Sequence, residues 1–151
     1  MANEKGFQSH TAFRAEHPRA LAMYCSDGRF TDAVEELLRS LGHDRLDTIT
    51  LPGGPALLHP FSALIIDHEA VASAARFLIR GHALTHVVLI AHKECGYYKS
   101  RFAGEGSERI ERRQKDDLRA AREYLQGGHA GLKVDLFYAM TGTHVHFDPV
   151  K

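Results

Sequence analysis

The segment that most restricts the fold is His86 to Ala91 (HVVLIA), apolar at almost every position. A strand with one wet face alternates apolar and polar residues. An unbroken apolar run belongs to a strand covered on both faces, as central strands of parallel sheets are. Parallel neighbours are joined by crossovers, usually helices, and the flanking sequence has that form. Arg19 to Tyr24 (RALAMY) is a shorter apolar strand that stops at the turn-forming Cys25-Ser26-Asp27-Gly28. A helix follows, with Val34, Leu37, Leu38 and Leu41 at helical spacing. Asp32 and Glu35 give it a capping-box-like start, and Gly42 is a C-terminal stop.

Asp47 to Leu51 (DTITL) is a β-branched strand ending at Pro52-Gly53-Gly54-Pro55, an irregular loop. Val71, Ala74, Ala75 and Leu78 form the face of a second helix, with Gly81 as its stop. Residues 107–126 form a charged helix with a thin stripe of Leu118, Ala121 and Leu125, closed by Gly127-Gly128. Leu132 to Met140 is a fourth strand, and Thr143 to Phe147 a possible returning edge strand. The order β-α-β-α-β-α-β predicts a single α/β domain with a mostly parallel central sheet, helices on both faces and a possible antiparallel edge strand. Residues 1–18 read as an N-terminal arm and 19–151 as the domain. Strand order 2-1-3-4 makes the first and third strands neighbours at the switch point, where such sheets bind ligands.

Composition narrows the function classes. Nineteen basic and nineteen acidic residues cancel, which removes the electrostatic argument for nucleic acid or an anionic membrane as partner. No apolar run approaches the ~20 residues needed to span a bilayer. The segment MANEKGFQSHTAF lacks the apolar core of a secretion signal, so the expected address is the cytoplasm. Only two cysteines occur, against eleven histidines. In a reducing compartment two cysteines serve as buried thiols, metal ligands or nucleophiles more often than as a disulfide.

Both cysteines sit in the loops that the topology brings together. Cys25-x-Asp27-x-Arg29 follows the first strand and His92-x-x-Cys95 the third. Two thiolates and an imidazole are a soft donor set suited to zinc, and three protein ligands leave a tetrahedral position open, as in catalytic sites. Two thiolates also roughly neutralise the dication, so bound water is less acidic than on a three-histidine site. Asp27 is placed to orient that water, and Arg29 to keep Asp27 ionised through a two-pronged ion pair. A metal-activated water of this kind attacks small electrophiles such as carbon dioxide.

These motifs resemble the Cys-x-Asp-x-Arg and His-x-x-Cys-Gly signatures of the β-class carbonic anhydrases, here Cys25, Asp27 and Arg29 with His92, Cys95 and Gly96. The resemblance runs from about residue 19 to the C-terminal strand. It implies a zinc enzyme that interconverts carbon dioxide and bicarbonate and assembles as a homodimer or higher homo-oligomer. It further implies Cys25, His92 and Cys95 as zinc ligands and Asp27 with Arg29 as the catalytic dyad. The family's usual Asn-Ala-Gly segment is Pro52-Gly53-Gly54 in this chain, and its usual Thr-Asp after the histidine is Lys93-Glu94. Two alternatives therefore stand beside the hydratase. One is a zinc-binding relative without hydratase activity or acting on another small electrophile. The other is a metal-free chain in which Cys25 is a nucleophile, although Arg29 is too close to it in sequence for an oxyanion-cradling loop and His92 and Cys95 would then have no role. A Cys25–Cys95 disulfide is a further possibility. Of the other histidines, His59 and His68 are candidate proton relays, while His144 and His146 are either a second metal site or a solvated strand face. Tyr97 and Tyr98 are expected to pack or to line the pocket rim.

Overall fold

A computed structural model describes residues 6–60 and 65–151. Five strands form one sheet: β1 (Ala20–Cys25), β2 (Asp47–Leu51), β3 (His86–His92), β4 (Lys133–Met140) and β5 (His146–Pro149). Their spatial order is β2-β1-β3-β4-β5. β1 to β4 run parallel, and β5 pairs antiparallel with β4. The expected order and antiparallel edge are therefore present, although the edge strand begins at His146 and not Thr143.

The two central strands behave as their composition requires. Every residue of β3 is buried. Alternate side chains of β1 and β3 serve opposite faces. Leu21, Met23, Val87 and Leu89 pack with Ala72, Ala75 and Ile79 of α2 (Ile65–Gly81) and with Leu118, Ala121 and Leu125 of α4 (Ser107–Gly128). Ala22, Val88 and Ile90 pack with Val34 and Leu38 of α1 (Thr31–Ser40). Full burial of each large aliphatic side chain contributes about 1.5–3 kcal/mol, so the sheet is held from both sides. Among the described residues no helix is long and apolar enough to cross a membrane.

Several local expectations need correction. α1 has no capping box: its N-cap is Phe30, Asp32 lies inside the first turn, and a 3-10 turn (Gly28–Phe30) feeds the helix. The capping side chain is Asp27, which accepts the Arg29 backbone N–H. At the other end Gly42 (φ +90°) does stop the helix, with His43 N–H bonding Leu38 O and Gly42 N–H bonding Arg39 O, a Schellman closure. On α2, Val71, Ala75 and Leu78 pack on the core as expected, with His68, Ala72 and Ile79 beside them, but Ala74 is exposed. α4 continues through Gly128. A further short helix, α3 (Gly96–Arg101), follows Cys95 directly. Its six residues are too few for a periodic apolar pattern to declare it. Residues 6–18 contain no helix or strand; residues 1–5 of the expected arm lie outside the described residues.

A polar array crosses the end of the sheet opposite the cysteines. His86 Nε2 donates to Asp135 Oδ2 at 2.8 Å, and His86 Nδ1 is 2.6 Å from His43 Nε2. An ionised carboxylate only accepts, so His86 is protonated on Nε2 and accepts from His43 on Nδ1. Burial lowers the His86 pKa below its ordinary 6.5, outweighing the opposing pull of Asp135. A basic group with a depressed native pKa binds fewer protons when folded than when unfolded, so stability falls as pH drops below about 6.5. We expect the melting temperature to decline between pH 7.5 and 5.5. The decline should be shallower in His86→Gln, measured by circular dichroism across that range.

Candidate metal centre

Parallel pairing of β1 with β3 places their carboxyl ends side by side, with Met23 opposite Leu89 in register. Cys25 closes β1, and His92 closes β3. Cys95 returns to them because Glu94 adopts a left-handed conformation (φ +61°), turning the chain into α3 with Cys95 as its N-cap. Cys25, His92 and Cys95, as much as 70 positions apart in sequence, thus converge: one ligand atom from each lies within 4.8 Å of the others. Among the described residues no other such group of three histidine, cysteine or carboxylate side chains occurs.

The donor set suits a metal ion. The two sulfurs are 4.0 Å apart and both cysteines are free, so no disulfide joins them. Two sulfurs each about 2.3 Å from a shared tetrahedral centre would stand about 3.8 Å apart. His92 is 3% exposed, and its Nδ1 donates to Lys93 O at 2.8 Å. This fixes the tautomer and leaves Nε2 a bare acceptor, buried and without a hydrogen-bond partner. An orphaned buried nitrogen costs about 1–3 kcal/mol unless something is bound to it. Phe30 packs against the imidazole, with ring centroids 4.3 Å apart and planes tilted by 36°.

The thiols are poised unequally. Cys25 is pulled down, chiefly by the hydrogen bond from the Cys95 thiol. Burial opposes this, while the backbone N–H groups of Asp27 and Gly53 add to it. Cys95 is pushed up by the Cys25 sulfur and by burial, against the backbone N–H groups of Tyr98 and Tyr97. Both thiols must be deprotonated to bind a metal ion, so binding releases protons and strengthens as pH rises.

Asp27 and Arg29 form the expected ion pair at the rim. Arg29 donates from Nε to both carboxylate oxygens (3.0 and 3.1 Å) and from a terminal nitrogen to Oδ2 at 2.6 Å. Arg29 thereby holds the Asp27 carboxyl down at about 2. Beside Cys25 and His92 lies a small cleft lined by Tyr24, Phe30, Val34, Ile90 and Ala139, almost wholly apolar.

The loop after β2 is a wall of this site. Gly53 and Gly54 have φ of +83° and +55° and lead into a buried 3-10 turn, Gly54–Leu58. A Cβ on Gly54 would meet Cys25 N and the Tyr24 carbonyl carbon at 2.8 Å, both backbone atoms; one on Gly53 would meet the Tyr97 ring at 2.4 Å. A ring can swing aside, but β1 cannot. Left-handed strain of about 1–3 kcal/mol is common to both positions, so Gly54→Ala should lower the melting temperature more than Gly53→Ala. Differential scanning calorimetry of the two variants measures the gap.

The remaining candidates divide. His68 is buried, with Nδ1 2.8 Å from Leu57 O, so it pins the 3-10 turn to α2. His59 Nε2 lies 3.8 Å from Asp117, whose other oxygen accepts from the Tyr98 hydroxyl at 2.6 Å. Tyr97 and Tyr98 pack, as expected. His146 is exposed and pairs with Asp148, and neither it nor His144 joins a metal-holding cluster. Sequence reasoning missed Gln114 and Asp117, both buried. Their signal was available: they stand in the stripe Ile110, Gln114, Asp117, Leu118, Ala121, Leu125 of α4, polar residues on an inward face.

Comparison with known proteins follows the same line. No family model matches the chain. An uncharacterized protein of Rickettsia conorii is 28% identical over 129 residues, covering 78% of this chain and 64% of that protein. An uncharacterized protein of Rickettsia bellii is 26% identical over 129 residues, covering 78% and 73%. The chain thus spans just under two thirds of the first of these relatives. Among solved structures, β-carbonic anhydrase isoform I of Trichomonas vaginalis superposes with a TM-score of 0.59 at 13% identity, covering 92% of this chain and 87% of that one. The β-carbonic anhydrase CafA of Aspergillus fumigatus gives 0.56 at 18%, covering 88% and 76%. Tetrameric β-carbonic anhydrases of Sordaria macrospora give 0.56 at 14%, covering 87% and 81%. This chain has the fold of the β-carbonic anhydrases, with a cysteine-histidine-cysteine cluster able to hold a metal ion at the carboxyl end of its central strands.

Proposed function

We propose that the chain is a zinc-dependent, carbonic anhydrase-like lyase that interconverts carbon dioxide and bicarbonate. The observation that carries this reading is the bare, buried Nε2 of His92 facing two thiols at metal-sharing separation. Cys25, His92 and Cys95 would hold zinc, which suits two thiolates and an imidazole better than the harder divalent cations. Zinc bound by three protein ligands supplies Lewis acidity and lowers the pKa of water.

The chain's own residues set the remaining conditions. Asp27, kept ionised by Arg29, would accept a hydrogen bond from a metal-activated water and so orient it. The small cleft of Phe30, Val34, Ile90 and Ala139 beside Cys25 and His92 is almost wholly apolar and disfavours a charged group. Its lack of polar lining favours departure of the anionic product. The Sordaria proteins are tetrameric, and Phe7, Phe13, Ile65, Ile66 and Phe77 are exposed here; we read this chain as a homo-oligomer that buries some of them. Its expected compartment is the cytoplasm, where free thiols persist.

The deciding experiment is stopped-flow hydration of carbon dioxide by zinc-loaded protein from pH 6 to 9. A rate above background that rises with pH supports the lyase. A flat background rate with zinc bound overturns it and leaves a zinc-binding module.

A further inference from the structure

The metal ligand His92 ends a strand, and its backbone needs an anchor. Lys93 N–H makes the last rung of the β3–β4 ladder, to Ala139 O at 2.9 Å. Beyond it the chain turns away through Glu94. A buried carbonyl needs a donor, and a side chain that supplies one also anchors the backbone it belongs to. Gln114 supplies one to His92. It is 1% exposed on the inward face of α4, and its Nε2 donates to His92 O at 2.8 Å. The same amide is itself oriented: Tyr138, also 1% exposed, donates its hydroxyl to Gln114 Oε1 at 3.2 Å. Tyr138 stands opposite Ala91 in the β3–β4 register, one position before the metal ligand.

Two consecutive carbonyls are thereby tied down. Gln114 holds that of His92, and the imidazole's own Nδ1–H holds that of Lys93. The second bond fixes the ring only if the backbone it grips is itself fixed, and this makes the first bond consequential. Gln114 is an expensive choice for its position. Apart from Asp117, its neighbours along the buried stripe, Ile110, Leu118 and Ala121, are apolar, and a methionine would fill the same space with no polar atoms to satisfy.

We infer that Gln114, oriented by the Tyr138 hydroxyl, is a positioning residue that presets His92 for metal and so sets metal affinity without touching the ion. The inference rests on the metal reading above. Groups one layer behind a metal ligand commonly govern affinity by 10- to 100-fold, and here the layer acts through the ligand's backbone as well as its ring.

The test uses the cobalt(II) ion as probe, since its visible bands report ligand geometry. Apo protein and its variants are titrated with cobalt(II) against a chromophoric chelator. Gln114→Met should fold with wild-type circular dichroism, bind cobalt(II) about 10- to 100-fold more weakly, and show shifted visible bands. The control is Gln126→Met, which removes the same kind of bond, from Gln126 Nε2 to Leu132 O on the same helix, at the end remote from the cysteines. It should leave affinity and spectrum unchanged. Tyr138→Phe removes one hydroxyl and keeps the ring, so it decides the matter should Gln114→Met not fold; it should weaken binding several-fold. Wild-type affinity and spectrum in a folded Gln114→Met, or unchanged affinity in Tyr138→Phe when the methionine variant cannot be made, overturns the inference. Failure of wild-type protein to take up cobalt(II) or zinc is a different outcome: it overturns the metal reading, and this inference falls with it.

Discussion

Protein purified without chelator is expected to carry about one zinc per chain, and Cys95→Ser almost none. Structural zinc binds protein sites with apparent energies of about 10–16 kcal/mol at pH 7. Shared among three protein ligands, this assigns on the order of 3–5 kcal/mol to each, so the loss of one thiolate should weaken binding on the order of 10²- to 10⁴-fold. Cys25→Ser should behave alike, because both sulfurs face the same centre at 4.0 Å separation. His146→Ala should retain full zinc content, since that residue lies outside the cluster. Metal analysis after gel filtration reads the content, and chelator competition reads the affinity. Zinc bound to the native state also stabilises it, so dialysis against a chelator should lower the melting temperature of the wild type and leave Cys95→Ser unmoved. A wild-type protein that holds no metal, or a Cys95→Ser variant that holds as much as its parent, would refute the centre.

That the centre could be located from the sequence follows from where its parts lie. HVVLIA admits few readings other than a central strand, RALAMY is best placed beside it, and the crossover rule then puts the loops after both at one edge. Cys25 and His92 had to be neighbours once that order was accepted, although 67 positions separate them. The ion pair of Asp27 and Arg29 was similarly legible, being two residues apart in one turn. What escaped notice depends on geometry that periodicity does not encode. α3 is shorter than two turns and opens at a cysteine with no typical cap. The start of α1 was misplaced because Asp32 and Glu35 match a capping pattern, while the residue that caps is Asp27, one 3-10 turn earlier. On α2, Val71, Ala75 and Leu78 face the core as expected and only Ala74 does not, because Ala74 and Ala75 are indistinguishable by composition. The largest omission was the polar layer behind the ligands. Gln114 and Asp117 sit among eleven charged residues of a helix whose outer face is laced with ion pairs, and only their phase within the apolar stripe sets them apart.

Asp27→Asn should cut carbon dioxide hydration on the order of 10²- to 10⁴-fold, the range that proton-handling side chains contribute, with zinc content unchanged. The substitution keeps shape and volume but alters two things. A carboxylate can accept the Arg29 donors on both oxygens, as observed, and still offer lone pairs to water. An amide has one accepting oxygen and presents N–H groups where the second oxygen stood. It must turn its oxygen to Arg29 or to water, and the N–H directed the other way repels the partner it replaces. Arg29→Ala should have a milder effect of the same sign. Asp27 then loses the guanidinium that holds its carboxyl at about 2 and rises toward the ordinary carboxylate range, yet remains ionised at neutral pH. The consequence is lost orientation rather than lost charge. Stopped-flow hydration with parallel metal analysis of both variants separates the roles. Wild-type turnover in Asp27→Asn would remove this residue from the reaction. A fall in rate matched by a fall in zinc would instead make the ion pair a strut for the Cys25 loop, since Asp27 also caps the turn that leads from Cys25 into α1.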